Sequence, residues 1–183
     1  MKKNNALRNM IIAGLLCAIG ILIPRISPIR IVLEPASFTL ASHVAIFIAM
    51  FISPGVAGAV AVGTTLGFLF GGFPIVIVAR AASQVVFAVA GAFFYKKHPH
   101  VMDSLWKSQL FSFCIALVHG AMEVIAVLPF YFTNTLASGF YEKGFMFAVI
   151  LMVGVGTVVH SMVDFGIAQL IWRPLKKALR SSQ

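Results

Sequence analysis

Residues Phe73–Tyr95 read FPIVIVARAASQVVFAVAGAFFY, apolar throughout apart from Arg80, Ser83 and Gln84. About 20 apolar residues let a helix cross the hydrocarbon core of a bilayer. The stretch therefore predicts a transmembrane helix with an arginine about two turns from its start. An unpaired charge there costs from ~3 to more than ~10 kcal/mol, so such residues face a cavity or a partner. Two readings of Arg80 follow. It receives an anionic group of a solute, or it snorkels or holds a structural ion pair.

The rest of the chain has the same character. Of its 183 residues, 60% are hydrophobic and 10% charged, and the mean hydropathy is +0.99. That excludes an ordinary soluble globule and points to a multi-pass membrane protein; the plasma membrane is its expected location. The length predicts one domain over residues 1–183. Both cysteines, Cys17 and Cys114, sit in apolar runs and read as small core residues rather than a disulfide. The net charge of +9 does not indicate nucleic acid, because the basic residues gather at the chain ends and in one loop, as membrane orientation requires.

Outward from Phe73–Tyr95, six spans are expected. The first, Leu7–Pro24, follows a basic start that imitates a signal peptide. It lacks a small-x-small cleavage site, and Leu16 before Cys17 spoils a lipoprotein box, so it reads as a retained span. Arg25–His43 mixes polar and apolar residues, with breaks at Pro28 and Pro35 and a short extended piece at Ile29–Leu33. It is long enough to be a lid contributing Phe38, Ser42 or His43, or a loop lying at the interface. Span 2, Leu40–Ile52, is short and ends at Ser53-Pro54-Gly55. Span 3 is Val56–Phe70, and Gly71-Gly72-Phe73-Pro74 turns the chain into span 4. No GxxxxGK[ST] occurs, so any ATP is bound by another subunit. Lys96–Lys107 is the hydrophilic internal loop, span 5 is Ser108–Phe132, Thr133–Gly144 is a polar turn, and span 6 is Phe145–Trp172 before a basic tail. The predicted fold is an all-α bundle of six transmembrane helices.

Charge sets its orientation. Lys2, Lys3, Arg8, Lys96, Lys97, Lys107, Arg173, Lys176, Lys177 and Arg180 fall on one side, against Arg25, Arg30 and Lys143 on the other. The basic side faces the cytoplasm and carries both termini; Arg25–His43 lies outside.

Helical rise then gives depth. Arg80 lies roughly 10 Å below the outer surface, Glu123 roughly 13 Å and His119 roughly 20 Å. Arg80 and Glu123 are level, able to pair or to face a solute together. His160 falls near mid-membrane. Asp164 falls deeper, paired with His160 or holding neighbouring helices. His119/Glu123 and His160/Asp164 each stand four apart on a helix face. Histidines and carboxylates are metal ligands, but no HExxH or cysteine pair supports a metal site. The same residues suit a proton relay in a secondary carrier. No motif fixes a catalytic nucleophile, so an enzyme is not expected.

The whole chain resembles the substrate-binding S component of an energy-coupling factor vitamin transporter. The likeness rests on size, six spans, basic ends, and AGLLCA at Ala13–Ala18, which is similar to that family's small-residue docking face. The family's AxxxA spacing appears here as Gly14-xxx-Ala18 and Ala13-xxx-Cys17. PASFTLASHVAIFIAMFISP (Pro35–Pro54) and FPIVIVARAASQVVFAVAG (Phe73–Gly91) look most like the niacin type, with the pantothenate type next. The resemblance implies capture of a small water-soluble vitamin from outside by Arg80, Gln84, His119, Glu123, Tyr131, Asn134, Phe38 and His160. It implies docking through Ala13, Gly14, Cys17 and Ala18 to a transmembrane coupling subunit that works with two cytoplasmic ATPases. This chain would bind no cofactor or metal, and ATP would be used by the partner subunits. A vitamin carboxylate would suit Arg80 through a charge-assisted contact, and Phe38 or Tyr131 would stack on a pyridine ring. A proton-coupled carrier, or a membrane protein with no solute, remains the alternative.

Overall fold

Val44–Ile52, VAIFIAMFI, is apolar on every side. A helix of that kind is buried rather than amphipathic. The computed structural model places it at the centre of the molecule, with Val44–Phe51 all buried. It describes the backbone of residues 2–33 and 36–181 and the side chains of residues 6–29 and 38–177. Pro35, expected as a chain break, lies outside the described residues, as do the side chains of Lys2, Lys3, Arg30 and Arg180.

Helix α1 spans Lys2–Ile26. A hairpin follows, β1 (Arg30–Leu33) antiparallel to β2 (Ala36–Thr39), with Arg30 opposite Thr39 and Leu33 opposite Ala36. Then come α2 (Val44–Ile52), α3 (Pro54–Phe70), α4 (Ile75–Lys97), a 3-10 turn (Pro99–Met102), α5 (Leu105–Phe132) and α6 (Ser138–Glu142). A π-helical stretch, Met146–Val155, runs directly into α7 (Gly156–Ser181). The sequence predicts an extended piece at Ile29–Leu33; its β2 partner is a departure from a purely helical fold.

Among the described residues, four helices are long and apolar enough to cross a membrane: Ala6–Ile26, Ile75–Lys97, Leu105–Phe132 and Met146–Lys177. Helix α3 is apolar but has only 17 residues, about 25 Å of rise. Helix α2 has nine, about 14 Å, less than half a hydrocarbon core. The segment expected to be span 2 from Leu40 onward thus becomes helical only at Val44. Ala41 adopts a left-handed backbone, φ 66°, so residues 40–43 form a turn. Because α2 is so short, this turn lies inside the bundle rather than at its rim.

Ser53 joins α2 to α3 without a gap. Its N–H bonds Ala49 O at 3.2 Å and its hydroxyl accepts from Val56 N at 3.2 Å. Pro54 takes the first helical position, where a missing N–H costs nothing. Aromatic rings fill the centre: Phe47 meets Phe165 at 5.4 Å and Phe87 at 5.6 Å, and Phe51 meets Phe165 at 5.4 Å. Another part of the bundle, beneath the hairpin, gathers the buried His119, Glu123, Thr157, Ser161 and Asp164.

Candidate functional site

A cavity of about 380 Å³ opens between the hairpin, α3, α4, α5 and α7. Ligand pockets usually measure roughly 300–1,000 Å³. Pro24, Phe38, Thr39, Thr64, Phe68, Phe73, Pro74 and Ile77 form its rim and apolar walls, and Ser42, His43, Arg80, Gln84, Glu123 and His160 supply polar groups.

Arg80 is the charged donor on that wall. Its Nε and Nη2 both donate to Glu123 Oε2, at 2.9 and 2.6 Å. Glu123 is 2% exposed, whereas the Arg80 side chain is 22% exposed. Thr157 Oγ1 donates to the same oxygen at 2.9 Å. His119 Nε2 stands 3.4 Å from Oε1, and Nδ1 on the other side of that ring lies 3.2 Å from Ser161 Oγ. Glu123 therefore holds the side-on edge of the guanidinium. Arginine carries five N–H donors in a rigid fork. Among the described residues no hydrogen bond engages Nη1, so the end-on edge is free at the cavity wall.

Asp164 anchors a second network. Oδ1 accepts from Ala41 N at 2.8 Å, and Oδ2 accepts from His43 N at 2.9 Å. His43 Nδ1 and His160 Nε2 each stand 3.1 Å from Oδ2. The carboxylate thus ties the turn after β2 to α7. His43 bridges the networks, its ring 4.8 Å from His119 and 4.9 Å from His160. Phe38 sits edge-on to His160 at 5.3 Å and rests on Gly156, where a Cβ would lie 2.6 Å from its Cζ. Gly156 is the close approach that admits the ring.

Two groups, His43/His119/Glu123 and His43/His160/Asp164, bring potential metal ligands within 4.8 Å of one another. Oε2 of Glu123 already accepts from a guanidinium and a hydroxyl, and both oxygens of Asp164 accept from backbone N–H groups. Oε1 of Glu123 has His119 Nε2 3.4 Å away.

Compared with known proteins, the chain is 39% identical over 177 residues to the niacin transporter NiaX of Lactococcus lactis subsp. cremoris (strain MG1363), covering 96% of this chain and 78% of that protein. The chain belongs to this niacin-transporter family. No protein-family model and no solved structure matches it. The niacin-type likeness drawn from Pro35–Pro54 and Phe73–Gly91 is shown by this match. As a NiaX relative with four long apolar helices, the protein is a multi-pass membrane protein of a transport family, not an enzyme.

Within this NiaX-family fold the site residues expected from sequence separate into three groups. Phe38, Arg80, Gln84, Glu123 and His160 line the cavity. His119 is fully buried behind Glu123. Tyr131 packs instead against Tyr141 at 5.1 Å and Phe145 at 5.3 Å. Asn134 is exposed in a left-handed turn, φ 54°; both stand apart from the cavity lining. The small-residue face of α1 also divides. Ala13 is buried and Cys17 is seated on Gly63 of α3, so packing within the chain occupies them. Gly14 and Ala18 face outward, and nothing lies within 4 Å of where a Gly14 Cβ would be.

Sequence reasoning missed Thr157 and Ser161. The signal was present: Thr157, His160, Ser161 and Asp164 repeat at helical spacing and so share one face of α7. Arg25 was read only as a flanking charge. It donates to Gly71 O and lies 5.2 Å from the Phe73 ring, closing the rim beside Pro24.

Proposed function

We propose that this chain is the substrate-binding S component of an energy-coupling factor importer and that it binds niacin. The observation carrying this reading is Arg80, held side-on by Glu123 in the cavity wall with its end-on edge free. A carboxylate accepts two parallel N–H bonds from such an edge. Gln84 follows one turn after Arg80 on the same helix face. In this reading its amide donates to a pyridine nitrogen while the acid meets Arg80. Phe38 supplies an aromatic surface for the ring, and the hairpin closes over it. Pantothenate also bears a carboxylate, and Arg80 suits it equally; the named relative's substrate favours niacin.

The same reading carries the rest of the assembly. The chain forms one membrane domain of six spans, with α2 and α3 as a broken pair, and both termini in the cytoplasm. The cavity opens to the outside. Gly14 and Ala18 give a transmembrane coupling subunit close access. Two cytoplasmic ATPases use ATP, and this chain binds no cofactor.

Isothermal titration of the purified chain alone checks the reading. Saturable 1:1 niacin binding without any partner, together with no uptake by the chain alone in liposomes under a proton gradient, is the expected result. Proton-driven uptake by the isolated chain would instead identify a secondary carrier.

A further inference from the structure

A second cavity of about 380 Å³ lies at the opposite end of the bundle, where α4 ends, α5 begins and α7 ends. Its polar wall is one face of α7. Gln169, Trp172, Arg173 and Lys176 recur at steps of three and four, the spacing that stacks side chains on one side of a helix. Tyr95 and Asp103 lie across from them.

The chemistry of this wall is one-sided. Gln169 and Trp172 are 6% and 7% exposed. Gln169 Nε2 and Trp172 Nε1 are closed off from solvent with no hydrogen-bond partner among the described residues. Buried donors left unpaired are costly, so native structures seldom tolerate them. Arg173 and Lys176 make no ion pair among the described residues. Two cations without an ion-pair partner on one cleft wall call for an anionic acceptor.

Position narrows the class. Tryptophan, tyrosine and basic side chains at the end of a membrane bundle lie at headgroup level. Basic pockets there bind lipid headgroups. Asp103, which holds His100 Nδ1 at 2.9 Å, opposes a small multivalent anion but accepts hydroxyl donors. A phosphodiester carrying a hydroxylated headgroup satisfies both conditions.

We propose that this cleft binds the phosphate of an anionic phospholipid headgroup, with Arg173 and Lys176 on the phosphate and Asp103 on headgroup hydroxyls. The site is separate from the vitamin cavity and does not depend on which vitamin is carried.

Native mass spectrometry of the full chain in detergent, titrated with phosphatidylglycerol or phosphatidylcholine, tests this. One phosphatidylglycerol should be retained in clear preference to phosphatidylcholine. Arg173→Gln with Lys176→Gln should weaken it by about fivefold for each charge removed. Lys97→Gln with Lys107→Gln removes the same charge from exposed positions outside the cleft and should change affinity by less than about twofold. Arg173→Gln alone should weaken retention by about fivefold and stands as the independent readout if the double variant fails to fold. Equal losses from the two charge pairs would mean diffuse attraction and overturn the site. So would equal retention of both lipids, the result expected if the cleft instead receives an acidic side chain of a protein partner. Displacement of phosphatidylglycerol by an equal concentration of inorganic phosphate would assign the cleft to a free anion and refute the lipid reading.

Discussion

Glu123 and Asp164 invite comparison. Each is buried, each follows a histidine by four residues, and each sits on a long helix facing the same cluster of imidazoles. Their partners differ. Glu123 accepts from a guanidinium that reaches the cavity wall. Asp164 accepts from two backbone N–H groups of the turn that precedes α2. One carboxylate aims a side chain at the space where a solute would lie. The other fixes a piece of main chain. The same sequence spacing therefore carries two jobs, and which job is done depends on what a distant segment brings to the carboxylate.

Removing the main-chain anchor should have the largest effect on stability. Asp164→Ala orphans the N–H groups of Ala41 and His43 and frees a left-handed alanine from its restraint. Each unmade buried bond costs about 1–3 kcal/mol. The unliganded protein should lose several degrees in thermal midpoint, and affinity for niacin and nicotinamide should fall together. An unchanged midpoint would show that Asp164 is not the anchor of the turn.

A smaller effect is expected where the hairpin meets α7. Gly156→Ala places a methyl against the Phe38 ring, and overpacking of this kind costs about 1–3 kcal/mol. Niacin affinity measured by calorimetry should drop, and Phe38→Leu in the same chain should restore part of it by making room. No loss in the single variant would remove Phe38 from the lid.

The smallest effect belongs to Tyr131. Its ring packs with Tyr141 and Phe145 outside the cavity lining, so Tyr131→Leu should leave niacin affinity within about 0.5 kcal/mol of the parent. A larger loss would extend the site along α5 and blur the division between aiming and anchoring residues.

These differences also mark what the sequence made legible. Arg80 in an apolar helix and Glu123 at matching depth were readable, because charge in hydrocarbon demands a partner and helical rise fixes depth. The shortness of α2 was visible in Ser53-Pro54-Gly55, which ends the helix on schedule. Its starting point was not. The turn at 40–43 is set by a carboxylate more than 120 residues away and by a positive φ at an alanine, and neither leaves a local trace. Counting depth along one helix at a time places Asp164 but cannot show that the 40–43 turn comes to it. Tyr131 was expected at the site for its aromatic ring near the outer end of span 5. Eight residues past Glu123, it has rotated about 80° round the helix and faces α6 and the π-helical stretch instead.

The central claim is that Arg80 receives the carboxylate while Glu123 holds it in place. Its most direct test is the affinity of niacin and nicotinamide for the parent protein and for Arg80→Ala, measured on folded protein. The parent should prefer the acid. In the variant, niacin binding should weaken by about 2–5 kcal/mol, as when a desolvated charge pair is broken, while nicotinamide loses much less and the preference collapses. Arg80→Lys should fall between them, because an ammonium keeps the charge but loses the planar fork. If Arg80→Ala binds niacin with unchanged affinity, or weakens acid and amide equally, the pair with Glu123 is structural and Arg80 is not the carboxylate receptor.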